Sequence, residues 1–187
     1  MHNIILKKLI IWLRRKSPGT IVKLRDFWIY YMQDVLGIVP LSATLRARHL
    51  KADGSIVDLG IVCTHKVTDT FVAQLIDTLQ SAEATFSDYK YHDSGTGTTA
   101  ESETDTALET PTGEARAVGT QIEGATANIY KSVATFTYEG DYAITEHGLL
   151  NAAAVGDLAD RSVFTAIIVV ANDRIEFTYT LVCSSGG

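Results

Sequence analysis

The sequence predicts a mainly β protein, an antiparallel β-sandwich with one packed helix, preceded by an N-terminal helical arm. Three observations carry this. The final third is a series of period-two or continuous apolar runs rich in Val, Ile, Thr, Phe and Tyr. An Asp-Gly pair, Asp53-Gly54, stands between two β-rich runs and marks a hairpin. A single segment, residues 67–82, has a clean helical stripe. About eight strands joined mostly locally, with that helix against them, favour a sandwich over an α/β fold.

The elements follow in order. In residues 1–16, Ile4, Ile5, Leu9, Ile11, Trp12 and Leu13 alternate with cationic residues as in a short amphipathic helix. Pro18 and Gly19 break it, and a second helix-like run, "IVKLRDFWIYYMQDVLG", ends at Gly37, with Pro40 soon after. Beyond Pro40 the periodicity changes to that of strands, so the chain divides into an arm, 1–40, and a β-sandwich body, 41–187. In the body, "TLRARHLK" and "SIVDLGIVCT" flank the "ADGS" hairpin. The helix that follows has Thr68 as N-cap, Asp69 in its first turn and a stripe of Phe71, Val72, Leu75, Ile76 and Leu79, with Val67 stapled onto Val72. Residues 93–128 contain nine threonines and no aromatic residue, which by composition is a flexible, acidic loop. "IYKSVATFTY", "SVFTAIIVV" and "RIEFTYTLVC" are strands, the last two joined by a hairpin turn at "AND".

Charge is divided unevenly. Residues 1–51 carry ten Lys/Arg against two acids, a charge of +8, while the remainder carries six against twenty, or −14. A basic arm on an acidic body points to an acidic partner. Because apolar residues outnumber charges in the first half of the arm, docking on protein is favoured over lipid or nucleic acid. The expected partner-binding residues are Trp12, Arg14, Arg15, Phe27, Trp28 and Tyr31. Cys63 and Cys183 lie in apolar runs and read as reduced, buried thiols. Lys7 and Lys8 interrupt the apolar N-terminal residues, so no signal-peptide core or membrane span is expected, and synthesis in the cytoplasm follows.

The candidates for chemistry are weak. Glu146 and His147 are adjacent, and strand neighbours point to opposite faces, so the two would not share one cleft. Ser162, His147 and Asp160 could be assembled into a nucleophilic set, but no nucleophile-elbow motif is present. "GTGTT" (95–99) resembles a phosphate loop without the Gly-Lys-Ser/Thr ending or a following helix. Glu101, Glu103, Asp105 and Glu109 lack the spacing of a calcium loop. No catalytic residue, cofactor, metal ligand or small-molecule substrate is therefore expected.

Taken together, "YHDSGTGTTAESETDTALETPTGEAR", "AITEHGLLNA", "GDLADRSVFTAI" and "RIEFTYTL" resemble a group of tailed-bacteriophage virion proteins. In these a Gly-Thr-Gly segment precedes a Thr-Asp-Thr-Ala-Leu stretch, an Arg, and an Ile-Thr-Glu-x-Gly-Leu turn. The resemblance covers about residues 56–187 and leaves the arm unmatched. It implies a non-enzymatic virion structural protein, located in the virion and bound to other virion proteins. The first expectation is a capsid decoration or cement protein, and the alternative is a neck, collar or tail (fibre-attachment) component. From another class, the rival is a carbohydrate- or surface-binding sandwich with Tyr89, Tyr91, Tyr138 and Tyr142 as its platform. The resemblance further implies that 93–128 is ordered as long arms and short strands, and that "ITEHGLL" is architectural, a strand leading into a bend permitted by Gly148. With few large apolar residues in 93–128 (mainly Leu108, Val118 and Ile122), ordering it at roughly 1–2 kcal/mol per residue calls for contacts from another copy. A homo-oligomer, with a trimer as first guess, is the resulting expectation.

Overall fold

The computed structural model describes residues 41–65, 67–80 and 86–183. The arm over residues 1–40, and with it Trp12, Arg14, Arg15, Phe27, Trp28 and Tyr31, lies outside them. Strand β1 (Leu41–Leu50) turns through Lys51–Ser55 into β2 (Ile56–His65), as the Asp-Gly pair predicts. Gly54 takes a φ of +88° there, and the Gly54 amide donates to the carbonyl of Lys51. Helix α1 (Asp69–Gln80) starts at Thr68, whose hydroxyl accepts from the amide of Phe71. A short 3-10 turn, Phe86–Asp88, leads to β3 (Tyr91–Gly95). Then follow β4 (Ala117–Val118), β5 (Thr120–Glu123), β6 (Ile129–Thr137), β7 (Tyr142–Leu150), β8 (Leu158–Val169) and β9 (Arg174–Cys183).

The nine strands form two sheets with the orders β2-β1-β9-β6-β5 and β4-β3-β7-β8. Period-two alternation sends Ala43, Leu45 and Ala47 of β1, Phe136 of β6, and Ile175, Phe177, Tyr179 and Leu181 of β9 inward from the first sheet. Ile144 and Leu149 of β7 and Phe164, Ile167 and Val169 of β8 meet them from the second. Phe177 is central, with the rings of Phe136, Phe164 and His147 at 6.1, 6.0 and 4.7 Å. This is the predicted sandwich. One lateral side is stitched by the chain itself: β4 lies in one sheet and β5 in the other, and the chain crosses between them at Gly119. A Cβ there would stand 2.1 Å from Ser132 Oγ and 2.8 Å from His92 Nε2, so only glycine lets the sheets close.

Several expectations need correction. The turn at Ala171–Asp173 is not a hairpin, because β8 pairs with β7 in one sheet and β9 with β6 in the other. The chain changes sheets there, with Asn172 at a φ of 70°. Asp173 fixes the crossing by accepting from His49 (2.8 Å) and from the amides of Ala52 (2.7 Å) and Val170 (3.2 Å). Gly148 is not a bend, since β7 runs straight through it. The helical stripe is only half used. Phe71 is buried, its ring edge-on to Tyr89 at 5.2 Å, but Val72 and Ile76 are exposed, so Val67 has no staple partner in Val72. Cys63 is half-buried and Cys183 exposed, so neither is the fully buried thiol expected. Residues 93–128 are ordered, as the resemblance implied and composition did not.

Candidate functional site

Strand β7 ends and strand β8 begins in a five-residue run buried on both faces, 146–150 and 158–162, although these include Glu146, His147, Asp160, Arg161 and Ser162. Buried polar groups require partners, and the two faces supply them differently. On the outer face, register places Gly95 beside Glu146 and Asp93 beside Gly148, which in turn faces Arg161. The segment 96–116 lies over this face. Glu146 is fully buried, and its Oε1 accepts from the amides of Gly97 (3.1 Å) and Thr110 (2.7 Å). Its Oε2 accepts from the amide of Glu109 (3.0 Å) and from Arg161 Nε (2.8 Å). Arg161 then donates through Nη1 to Asp105 (3.1 Å) and through Nη2 to Glu109 (3.3 Å). Burial opposes the charge on Arg161, but hydrogen bonds to Glu146 and Asp105 outweigh it and raise the pKa.

The small residues of the motifs explain themselves here. A Cβ on Gly95 would meet Glu146 Oε1 at 2.4 Å and the carbonyl of Thr110 at 2.5 Å, and one on Gly97 would meet Glu109 and Glu146 at 2.6–2.7 Å. Gly148 leaves a socket for Leu108, which is buried on it. The hydroxyl of Thr145 donates to the carbonyl of Gly97 (2.7 Å), and the amide and hydroxyl of Thr99 hold Glu109 (2.8 and 2.6 Å). Those Thr99 bonds keep the Glu109 carboxyl below its usual pKa. A second guanidinium, Arg116, bonds Asp93 (3.0 Å) and the carbonyl of Ala152 (2.8 Å), pinning the far end of the segment and the 151–157 loop. The 96–116 segment also reaches the helix, where the carbonyl of Glu103 accepts from the amide of Asp69 (2.8 Å). The "GTGTT" amide does aim at an anion, namely the chain's own Glu146 carboxylate. The contacts that the sequence assigned to a neighbouring copy are supplied, for 96–116, from within the chain.

The inner face carries the other polar set. His92 Nδ1 and His147 Nε2 are 2.8 Å apart, and His92 Nε2 reaches Ser132 Oγ of the opposite sheet at 2.8 Å. Burial holds the His92 imidazole far below its usual range, at about 3, so it is neutral in the folded protein. Ser162, His147 and Asp160 do share this face, but Ser162 Oγ donates to Asp160 (3.1 Å) and His147 bonds His92. All three have no solvent exposure, so a substrate cannot reach them. Glu146 and His147 point to opposite faces, as strand geometry requires. Among the described residues no group of three or more His, Cys, Asp or Glu side chains is placed to hold a metal ion. Asp105 and Glu109 of the acidic run are bound by Arg161 instead. Of the four tyrosines, Tyr89 and Tyr138 belong to the core, where burial pushes their hydroxyls up, so the four do not form a surface platform.

The residues that sequence reasoning missed are Arg161 and the glycines 95, 97 and 148. A signal was present, since "LADRSVF" puts an Asp-Arg-Ser triplet at the head of a run that continues as the apolar "VFTAIIVV". Comparison with family models, with curated proteins and with solved structures finds no match to this chain.

Proposed function

We propose that this chain is a non-enzymatic structural protein of a tailed-phage virion, a decoration or cement protein bound to other virion proteins. One observation carries the reading. The motif residues that resemble virion proteins (Gly95, Gly97, Asp105, Leu108, Arg116, Glu146 and Gly148) are all spent on fastening 96–116 across a sheet. Arg161 joins them, and in the small open pocket that it lines with Thr99, Asp105, Ala107 and Glu109 both carboxylates are taken up by the guanidinium. Such a fastening turns an acidic, Thr-rich segment into a fixed outer surface, which suits a protein whose work is contact. The basic and aromatic arm, with Trp12, Arg14, Arg15, Phe27, Trp28 and Tyr31, is the proposed anchor on the particle. The burial of Tyr89 and Tyr138 weighs against a sugar-binding platform. The experiment is co-sedimentation of the purified chain with phage shells and, separately, with polysaccharide beads. Binding to shells alone is expected. Retention on polysaccharide with no binding to shells would overturn the reading.

A further inference from the structure

The two lateral sides of the sandwich are finished differently. On one side β4 and β5 are a single crossing strand, so the sheets are sewn together at Gly119. On the other, the edge strands β2 and β8 stand side by side, and among the described residues the chain passes between their sheets at the two ends of the seam, where Val67 bridges Asp160 and at the Ala171–Asp173 turn, leaving the stretch between them open. The seam between them is a groove of about 440 Å³ walled by Leu59, Ile61 and Val62 of β2 and by Ala166–Ile168 of β8. Large apolar residues collect there. Of the eleven exposed among the described residues, Ile56, Val57, Leu59 and Ile61 lie on β2, and Ile168 and Val170 lie at the end of β8. Ile61 and Ile168, 63% and 64% exposed, line the same groove from opposite strands, so the exposed apolar residues are contiguous rather than scattered.

Sheet edges are normally guarded. Edge β4 has two residues, and β5 has four with a terminal Glu123. Edge β2 carries two register shifts and the Asp58–Arg46 pair. β8 is twelve residues long, and residues 162–170 contain no charged side chain. Of the two irregularities in its pairing with β7, one lies at Leu149/Leu150, and the other, opposite Thr145, turns Thr165 and Ala166 outward beside the groove.

We infer that the β2/β8 seam is the contact surface for a second copy of this chain, seam against seam. Charge selects the occupant. Residues 41–187 carry nine Lys/Arg against twenty acids, a net −11, so two bodies repel wherever acidic faces meet, and this face is the apolar exception. The size suits a weak pair. Strands of ten and twelve residues rising ~3.3 Å each, in sheets ~10 Å apart, make a face of on the order of 360 Å², about half the ~800 Å² per partner of a standard interface, which places association in the micromolar range. Self-contact of one patch gives a two-fold pair, a symmetry other than the trimer guessed from composition. The inference stands apart from the virion reading, since it concerns only the free chain.

The test is sedimentation of the full chain at tens of micromolar. The expected species has twice the 20.3 kDa chain mass. Ile61→Asp and Ile168→Asp should each return it to a monomer with an unchanged circular dichroism spectrum, while Ile122→Asp on the opposite edge should leave the pair intact. Should a seam variant fold poorly, amide exchange on the unaltered chain decides. Protection at 56–62 and 163–170 should rise with protein concentration. A monomeric wild type, a pair that survives both seam substitutions, or concentration-dependent protection confined to 117–123 would each overturn the inference.

Discussion

Replacing Glu146 by Gln keeps the shape of the side chain and removes the feature on which the outer segment depends. The carboxylate has two acceptor oxygens facing four donors, the amides of Gly97, Glu109 and Thr110 and Arg161 Nε. A carboxamide has one acceptor oxygen and an NH2 group. Whichever way it is turned, the NH2 confronts two donors, either the amides of Gly97 and Thr110 or the amide of Glu109 and the guanidinium. Leaving a buried donor unsatisfied costs roughly 1–3 kcal/mol. Removing one partner of a buried ion pair costs about 3–5 kcal/mol. Arg161 keeps Asp105 and Glu109, which places the total near the lower end, about 3 kcal/mol. For a chain of this size that lowers Tm by about 6–12 °C. Thermal denaturation followed by circular dichroism measures it, and limited proteolysis should move its first cut into 96–112. A Glu146→Gln protein within about 0.5 kcal/mol of wild type, with 96–112 still resistant, would refute the reasoning.

Other outcomes follow from the same geometry. Gly95→Ala should destabilise more than Gly148→Ala by equilibrium unfolding, because the Gly95 Cβ meets a backbone carbonyl at 2.5 Å whereas that of Gly148 meets movable leucine methyls at 3.0–3.1 Å; the reverse order would be contrary. The folded pKa of His92, about 3, lies below the unfolded value of 6.5, so the unfolded chain binds the extra proton between them. Stability is therefore complete above pH 6.5 and falls as pH drops toward 3, by about 1.4 kcal/mol per unit for this group. Glu109, depressed below 4.5, adds to the loss under about pH 4.5. In His92→Gln the slope of unfolding free energy between pH 6.5 and 4.5 should flatten, and an unchanged slope would assign the proton elsewhere. Val155 holds a φ of 58° at 87% exposure, a conformation costly for a β-branched residue, so Val155→Gly should raise stability by up to ~1 kcal/mol by denaturant titration. A loss would mean that the loop depends on the valine side chain.

The local parts of the fold were legible in the sequence. Asp53-Gly54 declared its hairpin, Thr68 its helix cap, and the alternation of Ile175, Phe177, Tyr179 and Leu181 its core strand, because each is fixed by neighbours within a few residues. The failures are those of distance. "AND" has the same turn residues whether the chain folds back in one sheet or crosses to the other; the choice is made by His49, 124 residues from Asp173. The partners of Glu146 on the outer segment lie 36, 37 and 49 residues away, so no window of the sequence displays the carboxylate and its donors together. Composition called 93–128 flexible because it counts apolar area, and this segment is held chiefly by hydrogen bonds to two buried charges. The exposure of Val72 and Ile76 has a similar root: periodicity shows which helix face is apolar but not how much of it β8 covers.

The most direct measurement is amide hydrogen exchange on the dilute, monomeric chain, read at Gly97, Glu109 and Thr110. If Glu146 and Arg161 fasten this segment from within the chain, all three amides exchange slowly at a concentration where no second copy is bound, and Glu146→Gln releases them together while the β6–β9 ladder stays protected. Exchange of these three amides at unstructured rates in the wild-type monomer would contradict the account.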